Sequence, residues 1–239
     1  MSHALYPASF YESRREHTRH AADRILNALP RRMPRRSLAD IGCGTGTWLA
    51  AALANGAGRA IGFEGDWVRP DMLDDAKIEF TAVDLEQPLA GPAVDLVLSL
   101  EVAEHLSEER APSYVADLAA MGSAVLFSAA IPGQGGVGHR NEQWQSWWAH
   151  LFAAHELLAF DIIRPQIWSD EQIPAWYRQN LVLYLRQDIG RNLLLTPTAP
   201  QLLDKVHPAF WERANRELRY AGALPESEVL RRHPVQKQQ

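Results

Sequence analysis

Residues 38–49 read LADIGCGTGTWL: an apolar run ending near an acid, then a glycine loop, then residues that suit a helix. Gly42, Gly44 and Gly46 alternate through the loop. Lacking Cβ atoms, they permit a tight turn and let the backbone approach a ligand. Strand, glycine loop and helix in that order predict a nucleotide-like ligand at the carboxyl end of a parallel strand. A second acid, Glu64, ends the next apolar run, RAIGFE, about 20 residues further on, where a carboxylate can accept both hydroxyls of a ribose. Asp40 narrows the ligand class. Directly ahead of the glycines it would repel a pyrophosphate drawn to a helix N-terminus, and it suits a cation better.

Outward from this loop, short apolar segments alternate with helical stretches. SLADI, RAIGF, IEFTAV, VDLVLSL and SAVLFSA read as strands, with a helix within 107–121. Such alternation predicts βα units around a parallel sheet. Two further strands are expected near AFDIIRP and NLVLYLR, after an aromatic helix, NEQWQSWWAHLFAAHELL. Ahead of the loop, Ala21, Ile25 and Leu29 recur every fourth residue and Pro30 closes the run, which predicts a helix from about 13 to 29. The organisation expected is one domain: an N-terminal helical lid over 1–35, a core over 36–190, and a C-terminal helical extension over 191–239. Its tail, RRHPVQKQQ, is expected to fray.

Residues 99–106, SLEVAEHL, follow the fourth predicted strand. In one helical turn, positions i, i+3 and i+4 share a face, so Glu101, Glu104 and His105 would point at one volume. Such a group can bind a metal or move a proton. It can also be a plain turn, with the acids offsetting the helix dipole and His105 donating to a carbonyl. Ser107 is a candidate N-cap for the helix that follows, with Glu108 and Glu109 in its first turn. The loop after the fifth strand, AIPGQGGVGHR, brings His139 to the same end of the sheet as a ligand or general base. Cys43 has no recognisable base or second cysteine beside it, so packing under the loop is a better reading of it than a reactive thiol.

Trp144, Trp147 and Trp148 stand at helical spacing, and Trp168, Trp176 and Trp211 also follow the fifth strand. Most of that helix face should be core, yet an aromatic wall there could stack on a sugar or an aromatic ring. His139, Asn141, Glu142 and Gln143 form a polar edge beside it, Asn141 being alternatively a helix cap. Arg178 and Gln179 read equally well as site or as surface.

The pattern D-x-G-x-G-x-G over Asp40–Gly46 closely resembles motif I of class I S-adenosylmethionine (SAM) methyltransferases. Asp84 and Leu85 in TAVDLEQPL, and VDLVLSLEVAEHL, match later stretches of the same family, so the likeness covers roughly residues 36–130. It implies a Rossmann-like α/β fold, a mostly parallel seven-stranded sheet with helices on both faces. It also implies SAM as cofactor, lined by Asp40, Gly42, Cys43, Gly44, Gly46, Glu64, Gly65, Asp84, Leu85 and Leu100. Within that likeness, Asp40 and the loop hold the amino-acid part, Glu64 the ribose, and Asp84 with Leu85 the adenine. EVAEHL resembles the same place in ubiquinone-type O-methyltransferases, and also the E-x-x-E-H metal segment of small-RNA 3′-terminal 2′-O-methyltransferases. The second likeness implies Glu101, Glu104, His105 and a later histidine around a divalent ion. His139 is the candidate here, although it arrives sooner than the family's histidine and in a different setting. Two carboxylates and two imidazoles suit Mn²⁺, Fe²⁺ or Zn²⁺ better than Mg²⁺. Without a metal, His139, His105 and Glu104 are the catalytic candidates. HRNEQW with IPAWYRQNLVLY is similar to a branch of bacterial methyltransferases met among polysaccharide and natural-product genes. The expected reaction is methyl transfer to a hydroxyl of a small molecule or glycan. The alternatives are an RNA 2′-O- or small-molecule N-methyltransferase, or a SAM-binding protein without catalysis.

Composition predicts one soluble domain. The 239 residues are 46% hydrophobic, enough for a sizeable core. A single cysteine allows no intrachain disulfide, which predicts a reducing, cytoplasmic setting. The start, MSHALYPASFYESRREH, lacks an apolar signal region, and no apolar run reaches the roughly 18 residues of a membrane span. A net charge of −5 argues against a nucleic-acid footprint, the arginines at 31, 32, 35 and 36 being a local cluster.

Overall fold

The computed structural model describes residues 8–221, with side chains from 15 to 217, so the first seven residues and the tail RRHPVQKQQ lie outside it. Seven strands form one sheet: β1 (Ser37–Ile41), β2 (Arg59–Glu64), β3 (Glu79–Ala82), β4 (Leu96–Leu100), β5 (Ala124–Ser128), β6 (Leu157–Phe160) and β7 (Val182–Arg186). Their order is β3-β2-β1-β4-β5-β7-β6. The first five run parallel, while β7 lies antiparallel between β5 and β6.

Period-2 alternation sorts the strand side chains into two cores. Ala39, Ile41, Val97, Val125, Phe127 and Tyr184 face one way, where α3 (Ala111–Met121) and α4 (Gln145–Ala153) pack. Leu38, Leu96, Leu98, Leu100, Leu126 and Leu183 face the other. That face is covered by α1 (Ala8–Ala28), α2 (Thr47–Ala54), α5 (Arg164–Ile167) and α6 (Ala175–Asn180), with α7 (Gln187–Asn192) at its edge. Helices thus cover both faces, as a parallel sheet requires. The order reverses between β1 and β4, and in such sheets ligands gather at the carboxyl ends of the strands at this point.

Boundaries differ from expectation where tertiary packing decides. The aromatic helix begins only at Gln145 and ends at Ala153. Glu156 then takes a left-handed φ of 62°, and Leu157 and Leu158, expected in the helix, enter β6 instead. The chain divides into two compact units, Met1–Lys205 and Val206–Gln239. The first holds all seven strands and α1 to α7; the second contains α8 (Pro208–Ala221). Among the described residues no helix is long and apolar enough to cross a membrane.

Candidate active site

β1 delivers the chain into the glycine loop, where Gly42, Gly44 and Gly46 have φ of 80°, 52° and 79°. All three lie in the left-handed region that side chains resist. Gly42 meets a second demand: a Cβ there would lie 2.4 Å from a Val102 methyl, so the loop rests directly on the turn after β4. Cys43 is buried, with its sulfur against Gly62 of β2. Burial, and then the charges of Asp40 and Glu64, push its thiol pKa well up, which fits a packing role.

Asp40 and Glu64 are both buried under the loop. Burial, and then the neighbouring Glu64, push the Asp40 carboxyl up to about 8. Glu64 accepts the N–H groups of Gly44 and Gly65, each at 2.9 Å, which ties the loop to the end of β2. Burial nevertheless raises its pKa, since two hydrogen bonds only partly offset desolvation. The Trp67 ring lies against Gly65, 2.1 Å from where a Cβ would stand. Asp84 comes two residues after β3 and is exposed, accepting the Glu86 N–H at 3.1 Å. Leu85 beside it is buried, and Leu100 ends β4.

The turn after β4 is not the α-helical one expected. A single 3₁₀ turn covers Ala103–His105, and Glu101 precedes it with a left-handed φ of 57°. Glu101 therefore leaves the face shared by Glu104 and His105. Its backbone N–H donates to the Ser128 carbonyl, and its carboxylate accepts from Asn180 at 3.1 and 3.3 Å and from Gln134 at 3.5 Å. Glu104 is fully buried with no hydrogen bond to either carboxylate oxygen. Burial, and then the charge of Glu101, drive its pKa well up. Ser107 holds the N-cap position of a 3₁₀ turn, Glu108–Arg110, but its side chain makes no cap bond. Its N–H and hydroxyl both donate to Glu86, which also accepts from Arg140 of the His139 loop.

Residues 131–144 fold back over this turn, the backbone N–H groups of Arg140 and Asn141 donating to the Glu104 carbonyl. His139 meets His105 edge to face, ring centres 4.9 Å apart. Its Nδ1 faces Glu142 Oε1 at 2.8 Å, and Glu142 is itself fixed by the N–H groups of Gly133 and Gly135. Burial raises the Glu142 pKa, but these hydrogen bonds outweigh it and the carboxyl ends below its ordinary value. Burial, and then His139, lower the His105 pKa to about 4, while its Nδ1 lies 3.3 Å from the Gly138 carbonyl. One ligand atom from each of Glu104, His105 and His139 lies within 4.8 Å of the others. Glu101 is not in that group.

Sequence reasoning placed Glu142 only on a polar edge and left Gln179 undecided. The structure gives both a place, and adds Gln134, Asn180 and Tyr177. Asn141 is not a cap: α4 starts after Trp144 without a side-chain cap, and Asn141 is buried. Of the clustered tryptophans, Trp148 is core against Phe127, Trp147 packs edge-on against Trp148, and Trp144 is 39% exposed.

A parallel sheet with one antiparallel strand next to the edge, a left-handed glycine loop after β1 and an acid closing β2 define the class I methyltransferase fold. The sequence profile of a methyltransferase-domain family matches residues 11–164, more than half of the chain, and the chain belongs to that family. It is a SAM-dependent methyltransferase. Among solved structures it is similar to magnesium protoporphyrin IX methyltransferase from Synechocystis PCC 6803 with bound S-adenosylhomocysteine (SAH). That match has 16% identity and a TM-score of 0.54 over 72% of this chain and 84% of the other. An O-methyltransferase family protein from Burkholderia thailandensis matches at 15% identity and a TM-score of 0.56, over 74% and 58%. At such identities the likeness is one of fold. A search of curated protein sequences finds no match.

Proposed function

We propose that the chain methylates a hydroxyl of a small molecule or glycan. The observation that carries this is the Glu142–His139 pair set beside Glu104 and His105 at the carboxyl ends of β4 and β5. Methyl transfer needs a nucleophile in line behind the sulfonium, about 3 Å from the methyl, with water kept out. An alcohol must also shed a proton as its oxygen takes the methyl. With Nδ1–H donated to Glu142, the His139 Nε2 carries the lone pair that accepts this proton, and Glu142 stabilises the imidazolium that results. His105, held neutral by its lowered pKa, and Glu104 complete that wall.

On the donor side, Asp40 with Gly42, Cys43, Gly44 and Gly46 takes the amino-acid end of SAM. Glu64 and Gly65 take the ribose, Asp84 and Leu85 the adenine, and Leu100 lines the floor. The lid reading of α1 is supported by Arg15, which pairs with Asp74 while Asp74 accepts from Thr47 at the start of α2.

A divalent ion at Glu104, His105 and His139 is the second reading, favoured by the two buried Glu104 oxygens without partners. One carboxylate and two imidazoles fit Mn²⁺, Fe²⁺ or Zn²⁺. The chemistry such an ion supplies is Lewis acidity toward a hydroxyl. SAH release from a panel of sugars and phenols, with and without EDTA, tests both readings. With His139 as base, EDTA is harmless and His139→Ala loses about 100- to 10,000-fold in kcat. With the metal, EDTA abolishes turnover, Mn²⁺ or Zn²⁺ restores it, and Glu104→Gln is as damaging as His139→Ala. Turnover that ignores EDTA and both histidines would point to an amine acceptor.

A further inference from the structure

The family profile ends at residue 164, before α6 begins, yet α6 reaches the site. Asn180 at its end is buried and donates to both oxygens of Glu101 and to Gln134 Oε1 at 3.0 Å. Gln179 in turn donates to Gln134 Oε1 at 2.9 Å and to Asn180 Oδ1 at 3.0 Å. The Asn180 amide group thus turns its N–H on Glu101, and a carboxylate with four lone-pair sites retains acceptor capacity beyond that. The same helix brings Tyr177, which meets Trp48 of α2 edge to face at 5.3 Å. The charges of Glu101 and Asp40 both bear on the Tyr177 hydroxyl. Since the Glu101 turn also touches the glycine loop through Val102 and Gly42, Glu101 and Asp40 flank the loop from two strands.

Four buried or half-buried carboxylates, Asp40, Glu64, Glu101 and Glu104, therefore share one end of the sheet. Among the described residues no lysine or arginine forms an ion pair with any of them. We propose that Asn180 is a positioning residue that holds Glu101 as the counter-charge of the SAM sulfonium, and so tilts the site toward SAM over SAH. This rests on the SAM-site reading above. SAM and SAH share adenine, ribose and amino-acid groups and differ by one methyl and one positive charge. A carboxylate near the sulfur changes the ratio of their affinities, while a residue that only supports the fold changes both alike.

Calorimetry of SAM and SAH on the full chain tests this. Glu101→Gln should weaken SAM about tenfold and SAH by about twofold or less, the scale of one lost charge at a partly screened site. Asn180→Ala should shift the ratio in the same direction by about threefold, and Asn180→Ser, which keeps a donor, should recover most of it. Equal losses for both ligands, or an unchanged ratio, overturn the proposal. If Asn180→Ala does not fold, the near-isosteric Glu101→Gln decides alone. Glu64→Ala separates the two readings: it should weaken SAM and SAH together. If it weakens neither, the donor site has been misplaced, whatever Glu101 does.

Discussion

Asp40 holds a conflict that a melting curve can read. Its pKa in the folded chain is about 8, against an ordinary 3.8, through burial and then Glu64. As pH rises from about 4 to about 8, the unfolded chain releases this proton before the folded one does, so stability falls across that window. The Asp40 charge also bears on Cys43, Tyr114 and Tyr177. Asp40→Asn should therefore stabilise the ligand-free protein at pH 7, by on the order of 2 kcal/mol, while weakening SAM binding. A lower melting temperature in that variant would contradict this account. Gly42→Ala should cost roughly 1–3 kcal/mol through its left-handed backbone and its contact with Val102, and abolish SAM binding in calorimetry. The loop and its acids were legible because local backbone demands and charge repulsion act within a few residues. Asn180 was not, because its partner Glu101 lies 79 residues away on β4's outgoing turn; Glu142 was visible as a polar neighbour of His139, but its pairing with it depends on how the loop folds around the N–H groups of Gly133 and Gly135.

α4 shows what helical spacing can and cannot decide. Spacing of i, i+3 and i+4 put its tryptophans on one side, but not which of them the sheet would cover. Trp148 is 1% exposed and Trp144 is 39% exposed. Trp148→Ala should cost about 3–5 kcal/mol in denaturant unfolding, and Trp144→Ala within about 0.5 kcal/mol. Among the three, Trp144 is then the one whose loss can raise an acceptor KM without touching stability, and kinetics on that variant test the aromatic-wall reading. The turn at 99–106 carried a similar ambiguity. Its three side chains looked like one helical face, but a left-handed Glu101 splits them between two networks, because Ser128 of β5 and Asn180 hold it there. All seven strands could be placed from apolar runs and turn residues, since most of them are buried on both faces; β3, at the sheet edge, is largely exposed. The β6 boundary could not, because Leu157 and Leu158 suit a helix and a strand equally well.

At the scale of the molecule, the unit Met1–Lys205 carries every strand and every candidate site residue. A chain truncated after Lys205 should therefore fold and bind SAM within about twofold of the full chain, the tolerance expected when no ligand contact is removed. Loss of binding on calorimetry would assign part of the site to α8. The seating of β7 also has a consequence in time. During synthesis β6 leaves the ribosome before β7, and among the described residues its one strand partner in the sheet is β7. Until residues 182–186 emerge and slip in between, the nascent chain holds a hydrophobic strand with nothing to pair with, and β5 keeps an open edge. Stalled or slowed synthesis just ahead of Val182 should make this protein dependent on chaperones, and refolding from denaturant should show a slow, aggregation-prone phase that ends when the penultimate gap in the sheet is filled.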